Sequence, residues 1–176
     1  KKTKHWFLRF DHFKDQLSHF LSEKQWKPNV SQFAKHYIEE LRERAITRDT
    51  SWGIKVPLKE AEGKVFYVWF DAPIGYISIT ANYDDQWKEW WLNPANNVEL
   101  YQFMGKDNIT FHSQIWPAEL LAYAGRGTKG GEPGDFGVLN LPTEVVSSEY
   151  LTMEGKQFST SRGYVIYIRD VLEKYG

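Results

Sequence analysis

The sequence predicts an α/β fold, a parallel sheet flanked by helices, and three observations carry that prediction. Val65 to Phe70 are six β-branched or aromatic residues without a break, the pattern of a strand buried on both faces of a parallel sheet. Val98 to Met104 reads as a second strand. Each run stops abruptly in a polar, glycine-bearing loop, Asp71–Tyr76 after the first and Gly105–Asn108 after the second, and the second loop leads to a helix rich in Ile115, Leu120, Leu121 and Tyr123. Crossovers return each strand in the same direction, so both loops are expected on one edge of the sheet. Open α/β sheets bind ligands beyond that edge. Taken alone, Asp71–Tyr76 fits a pocket wall and an ordinary Pro-Gly turn equally well.

The other elements follow in order. His5 to Phe10 reads as a short strand, and Asp11 as the N-cap of a helix with Phe13, Leu17, Phe20 and Leu21 on one face. His5, His12 and His19 are evenly spaced, but seven residues of helix rise about 10 Å, too far for one metal to bridge. They read as a solvated face. Lys27-Pro28-Asn29 punctuates the chain, with Asn29 as N-cap and Gln32 completing a capping box. Val30, Phe33, Ala34, Tyr37, Ile38 and Leu41 then mark a helix that ends near Arg44. Residues 45–57 are extended with turns, and Arg48 and Asp49 read as a solvated pair. Asp84 to Trp91 is a short helix closed by Asn93-Pro94, and Pro117 suits the first turn of the next helix. Residues 125–137 hold six glycines and one proline and read as a surface loop. Glu144–Ser148 is a third strand, Leu151–Gly155 a hairpin or turn, and a last helix begins near Asp170.

Composition narrows the classes of function. A 41% hydrophobic content supports one core, and eight Trp are in excess, although large aromatics are mostly core. A net charge of −1 without a Lys/Arg block argues against nucleic-acid binding by the chain alone. The absence of cysteine excludes disulfides and thiolate metal sites within the chain. No membrane-length apolar run or signal peptide occurs. The chain does not open with Met and reads as a piece of something longer.

Three strand-end segments stand in order: Asp71–Tyr76 (DAPIGY), Gly105–His112 (GKDNITFH) and Lys156–Arg162 (KQFSTSR). With their flanks, YVWFDAPIGY (67–76), FMGKDNITFH and WPA (103–118) and EYLTMEGKQFSTSR (149–162), they closely resemble methionyl-tRNA synthetases of class I. ERAITRD (43–49), with Arg48, shares the likeness. Several motifs in the right order are far more specific than one glycine motif. The resemblance implies the second half of a Rossmann-like catalytic domain over residues 28–176. Residues 1–27 would be the end of the connective insertion.

By the same resemblance, the methionine side chain would meet Trp69, Ala72, Pro73, Tyr76, Asn108, His112 and Trp116. Aromatic walls suit a thioether, since sulfur–aromatic contacts contribute about 0.3–1.5 kcal/mol each. ATP would be held by Gly105, Lys106, Asp107 and the segment Phe158, Ser159, Thr160, Ser161. Arg48, Lys156, Gln157, Thr160 and Arg162 would be the catalytic positions. The implied reaction joins methionine to ATP, with Mg2+, as methionyl-adenylate. The full-length protein would then transfer it to initiator and elongator tRNA in the cytoplasm, with no membrane partner.

The chain also departs from the pattern. The family's lysine-bearing signature, KMSKS or KFSKS, reads Gln157-Phe158-Ser159-Thr160-Ser161 here, so both lysine positions are changed. Lys156 or Arg162 would substitute from one residue away, where losing one such donor typically costs about 2.7–4 kcal/mol. The HIGH-type signature, the cysteine-bearing zinc knuckle and the anticodon-binding region are not in the chain, so it binds no zinc and is expected not to activate methionine alone. Two rivals are a non-catalytic, synthetase-derived binding module or degenerate homologue with an impaired ATP signature, and a carbohydrate platform built on the Trp residues. The helical pattern at 30–43 argues against the second.

Overall fold

The computed structural model describes residues 2–92, 94–124 and 139–176. Strand β1 (Phe7–Leu8) is followed by a 3-10 turn over Phe10–Phe13 and helix α1 (Lys14–Ser22). Asp11 lies inside that turn instead of capping the helix, and its carboxylate accepts from the Arg9 guanidinium at 2.9 Å. Helix α2 (Pro28–Glu39) begins one residue before the expected cap. Pro28 takes the first turn, where its missing N–H is no loss, and Lys27, not Asn29, precedes the helix without any side-chain cap. The helix stops at Glu39, short of Arg44, because Arg44–Ala45 forms strand β2, antiparallel to β1.

Val30, Ala34 and Ile38 form the buried stripe of α2, while Phe33 and Tyr37 flank it with rings 4.6 Å apart. That stripe meets Phe10, Leu17, Phe20 and Trp26 on one side and Ile109, Ile115, Ala118 and Val145 on the other. Trp26 Nε1 donates to the Thr143 carbonyl at 2.8 Å, and the Gln114 amide donates to Ala34 O at 2.7 Å. Each fully buried large apolar side chain contributes about 1.5–3 kcal/mol, so this core, more than the short sheets, holds the fold. It runs without interruption across residue 27.

The run Val65–Phe70 is not the expected strand. Only Val65–Phe66 is extended, as strand β4 antiparallel to strand β3 (Thr47–Arg48). Val68–Asp71 turns into helix α3, leaving Val68 and Trp69 48% and 54% exposed. The reason lies in the backbone hydrogen bonds. Phe66 N–H donates to Ile54 O and Tyr67 N–H to Ile46 O, but among the described residues no strand lies beside residues 68–70. Phe70 and Ala72 N–H therefore donate back to Tyr67 and Val68 carbonyls at 2.8 and 2.9 Å. An apolar run of this length fits helix and strand equally by periodicity. Gly53, at φ 137°, lets the neighbouring turn approach Val65 so closely that an added Cβ would sit 3.0 Å from its side chain.

Asp71–Tyr76 is accordingly not a strand-end loop. Pro73 leads straight into helix α4 (Ile74–Tyr83), which is followed by helix α5 (Trp87–Trp91); the expected closing Asn93 lies outside the described residues. The second strand, β5 (Tyr101–Gly105), starts three residues late and ends one late. A 3-10 turn (Lys106–Asn108), a π-helix (Phe111–Ile115) and helix α6 (Trp116–Ala124) follow, with Pro117 in the first turn as expected. The glycine-rich loop expected at 125–137 lies outside the described residues. Strand β6 (Glu144–Ser148) runs parallel to β5, pairing Tyr101 with Glu144 and Gly105 with Ser148. Strands β7 (Thr152–Met153) and β8 (Lys156–Gln157) form a hairpin whose turn residues, Glu154 and Gly155, have φ 51° and 75°. Positive φ at both is what a two-residue type I′ hairpin turn requires. Helix α7 (Ile168–Tyr175) closes the chain, two residues ahead of Asp170.

Candidate functional site

The parallel pair β5–β6 brings two loops to one edge, and the π-helix builds outward from it. A π-turn is wide and uncommon, and such turns recur at functional sites. This one places Phe111 and His112 against side chains from α3 and α4. Trp69 meets the Phe111 ring edge-on at 6.0 Å, and Phe111 lies 5.5 Å from the His112 ring. His112 is 5.8 Å from Tyr76, Tyr76 is 5.9 Å from Trp116, and Trp116 is 6.2 Å from Trp91. The expected residues Trp69, Tyr76, His112 and Trp116 thus belong to one continuous chain of rings.

His112 has a defined protonation state. Its Nδ1 lies 3.0 Å from the backbone carbonyl of Asn108, and its Nε2 lies 2.8 Å from the Tyr76 hydroxyl. A carbonyl only accepts, so Nδ1 carries the proton and Nε2 accepts from Tyr76. Burial lowers the His112 pKa below the ordinary histidine value, and the Asn108 bond opposes this more weakly. Burial also raises the Tyr76 phenol, which stays a donor. The arrangement is a neutral aromatic wall with one hydroxyl, suited to an apolar, polarizable group with one weak acceptor.

A cavity of about 660 Å³ opens beside this wall, with Arg48, Tyr67, Trp69, Asp107, Asn108 and Phe111 in its lining. Arg48 is fixed there and is not a solvated partner of Asp49. Its guanidinium donates to Ala45 O at 3.1 Å and Thr47 O at 2.7 Å and lies 3.8 Å over the Tyr67 ring. Asp49 pairs instead with Lys64 and the Thr3 hydroxyl. Tyr76, His112 and Trp116 are not in the cavity lining and connect to it through Phe111. Pro73 is buried and Ala72 exposed at the α3–α4 junction, and neither lines the cavity.

Gly105 ends β5 beside Ser148, and the residues after the two strands clasp each other. Lys106 Nζ lies 2.7 Å from Glu149 and 4.4 Å from the Tyr150 ring centroid, while Asp107 accepts from the Tyr150 hydroxyl. The pairing raises the Lys106 pKa and lowers that of Glu149. Lys156, Gln157 and the 3-10 turn Thr160–Arg162 form a separate exposed unit that does not line the cavity. It is shaped locally. Ser159 and Tyr164 exchange backbone bonds at 2.8 and 3.0 Å, Ser159 and Ser161 hydroxyls lie 3.2 Å apart, and Lys156 lies 5.7 Å over the Tyr164 ring. Phe158 is half-buried at the base of this unit. Among the described residues no cluster of three or more histidine and acidic side chains is placed to hold a metal ion. Nor is any helix among them long and apolar enough to cross a membrane.

The family model described as tRNA synthetases class I (M) matches residues 1–176. The chain belongs to this family. Two relatives named methionine–tRNA ligase are 55% identical, from Kineococcus radiotolerans, and 52% identical, from Thermobifida fusca. They align with 99% and 98% of this chain and with 31% and 30% of their own length, so the chain spans about a third of these relatives. Among solved structures, Mycobacterium tuberculosis methionyl-tRNA synthetase in complex with methionyl-adenylate superposes with a TM-score of 0.74 at 22% identity. That match covers 99% of this chain and 31% of the other. The apo form of the same enzyme matches with a TM-score of 0.62 over 83% of this chain and 27% of its own. Both show the shared class I catalytic fold, and the α/β expectation holds even though its first strand does not.

Tyr67, Phe111, Glu149 and Tyr150 also take part in these contacts; each lies inside one of the motif blocks 67–76, 103–118 and 149–162, but its residue type alone does not single it out.

Proposed function

We propose that this chain forms part of the catalytic domain of a methionine–tRNA ligase. The reading rests on relatives of that name that are 55% and 52% identical across nearly all of the chain. A structural neighbour of this fold holds methionyl-adenylate, which supports methionine and ATP as the small-molecule substrates and tRNA as the acceptor. Residues 1–27 are read as the end of a connective insertion and 28–176 as the C-terminal half of the catalytic domain.

Methionine is placed with its thioether against Trp69, Tyr76, His112 and Trp116, close to Ala72, Pro73 and Asn108. The Tyr76–His112 pair supplies a hydroxyl beside these rings. Asp107 at the strand edge suits the ATP ribose, with Gly105 and Lys106 beside it. Mg2+ would enter with the ATP phosphates as part of the substrate. The methionine carboxylate then attacks the α-phosphate and pyrophosphate leaves, so negative charge shifts onto the leaving phosphates. Preorganised cations aimed at that charge supply most of the rate in such transfers. Arg48, already locked by two carbonyls and a tyrosine ring, is one candidate. The segment Lys156–Arg162 is the other, with Gln157, Phe158, Ser159, Thr160 and Ser161 between its two cations. With tRNA charging as its role, we read the protein as cytoplasmic.

The test is methionine-dependent exchange of pyrophosphate into ATP by the full-length protein. Exchange that requires methionine supports the reading. Folded protein that exchanges with another amino acid and not with methionine contradicts it.

A further inference from the structure

Trp116 borders a second cavity, about 570 Å³, that the methionine reading leaves unused. Its walls are apolar: Trp116, Leu120 and Leu139 are each 5% exposed or less, and Trp87, Ile74 and Ile77 complete them. Set into that apolar lining are two carboxyl groups, Asp71 from α3 and Glu119 from α6. The Glu119 Oε1 atom is buried and has no hydrogen-bond partner. No lysine, arginine or histidine is among the described residues that line the cavity. Helix α4 contributes only isoleucines, α6 adds the Tyr123 phenol, and α5 contributes Trp87, whose neighbour Lys88 lies 5.8 Å from that ring's centroid.

Burial, and to a lesser degree the charge of Asp71, push the Glu119 pKa up to about 9. Glu119 is therefore held protonated at neutral pH, in a hole whose described lining offers no cation. Buried carboxyls without partners are costly, and an apolar cavity with convergent polar groups is the usual form of a small-molecule site. The two properties select one kind of occupant: an apolar body for the walls and a positive charge for the acids.

We propose that this cavity binds a small protonated amine with an apolar body, its ammonium group held between Asp71 and Glu119. Binding would take the extra proton off Glu119, because an ammonium favours the ionised carboxylate.

The test uses the full-length protein with saturating methionine, so that the methionine site is occupied. Binding of 4-phenylbutylamine is compared with that of 4-phenylbutan-1-ol, of similar shape but uncharged, by calorimetry at pH 8 in phosphate and in Tris. The amine is charged there, as lysine is. The amine is expected to bind at least about tenfold more tightly, the scale of one good charge pair, with a buffer-dependent heat that reports release of close to one proton. Glu119→Gln should abolish the proton release, and Asp71→Asn should narrow the amine preference. Equal binding of amine and alcohol, no binding of either, or proton release unchanged in Glu119→Gln would overturn the proposal. Should either variant fail to fold, the wild-type comparison of amine with alcohol still decides.

Discussion

Replacing Tyr76 with Phe separates the hydroxyl from the ring and so tests how the aromatic wall is held. The ring contacts with His112 and Trp116, at 5.8 and 5.9 Å, are kept. What is lost is the O–H donated to His112 Nε2 at 2.8 Å. His112 is only 7% exposed, so its Nε2 would be left buried without a donor, a loss of about 1–3 kcal/mol. Tyr76 itself is 41% exposed, so some water can enter from that side and the lower half of the range applies, about 1–2 kcal/mol. The bond also favours the neutral ring, so losing it should raise the His112 pKa back toward the ordinary value. Urea unfolding reads the first effect, with an unchanged m-value. Long-range 1H–15N correlation reads the second, since wild-type His112 should carry its proton on Nδ1. A stability change below about 0.5 kcal/mol, the level of a surface substitution, would refute the reasoning. So would a wild-type spectrum with the proton on Nε2.

Other substitutions probe the rest of the molecule. Because the folded pKa of His112 lies below the unfolded one, the unfolded chain binds more protons between the two. Stability should therefore fall as pH drops below the ordinary histidine range, and His112→Gln should flatten that slope in thermal melts. Glu119 has the opposite sign. Folded protein binds more protons between 4.5 and about 9, so stability falls as pH rises through that window. Holding the acid protonated from 4.5 to pH 7 costs about 3 kcal/mol, or about 2–3 after partial solvent access, so Glu119→Gln should gain that much at pH 7 and nothing at pH 4. Leu17→Ala, at a fully buried position, should cost about 2–5 kcal/mol in denaturant unfolding. Lys156→Ala in the full-length protein should slow pyrophosphate exchange about a hundredfold with little change in the methionine KM.

The parts of the fold legible in the sequence were those with a strong local signal. Val30, Ala34 and Ile38 recur at helical spacing and are buried as that spacing implies. Glu144–Ser148 is a strand with the expected bounds, because alternation and its flanks agree. Val65–Phe70 shows the limit. Its composition favours a strand, but strand formation needs a neighbouring strand, and whether one lies beside residues 68–70 is a tertiary fact. The caps failed for a related reason: Pro28 and the Arg9–Asp11 pair took the helix starts from Asn29 and Asp11. At the candidate site, the motif blocks pointed to several side chains that the fold brings into contact. They could not show that Asn108 contributes through its backbone carbonyl, that Arg48 stacks on Tyr67, or that Glu149 and Tyr150 engage Lys106 and Asp107. The π-helix has no sequence signature of its own, yet it sets where Phe111 and His112 point.

The most direct test of the proposed site is to locate the side chain itself. Crystals of the full-length protein soaked in selenomethionine would give an anomalous peak at the selenium position. The account predicts that peak against the Tyr76, His112 and Trp116 rings, at about 5 Å from a ring as sulfur–aromatic contacts have it. A selenium peak elsewhere, with these rings uncovered at saturating ligand, would contradict it.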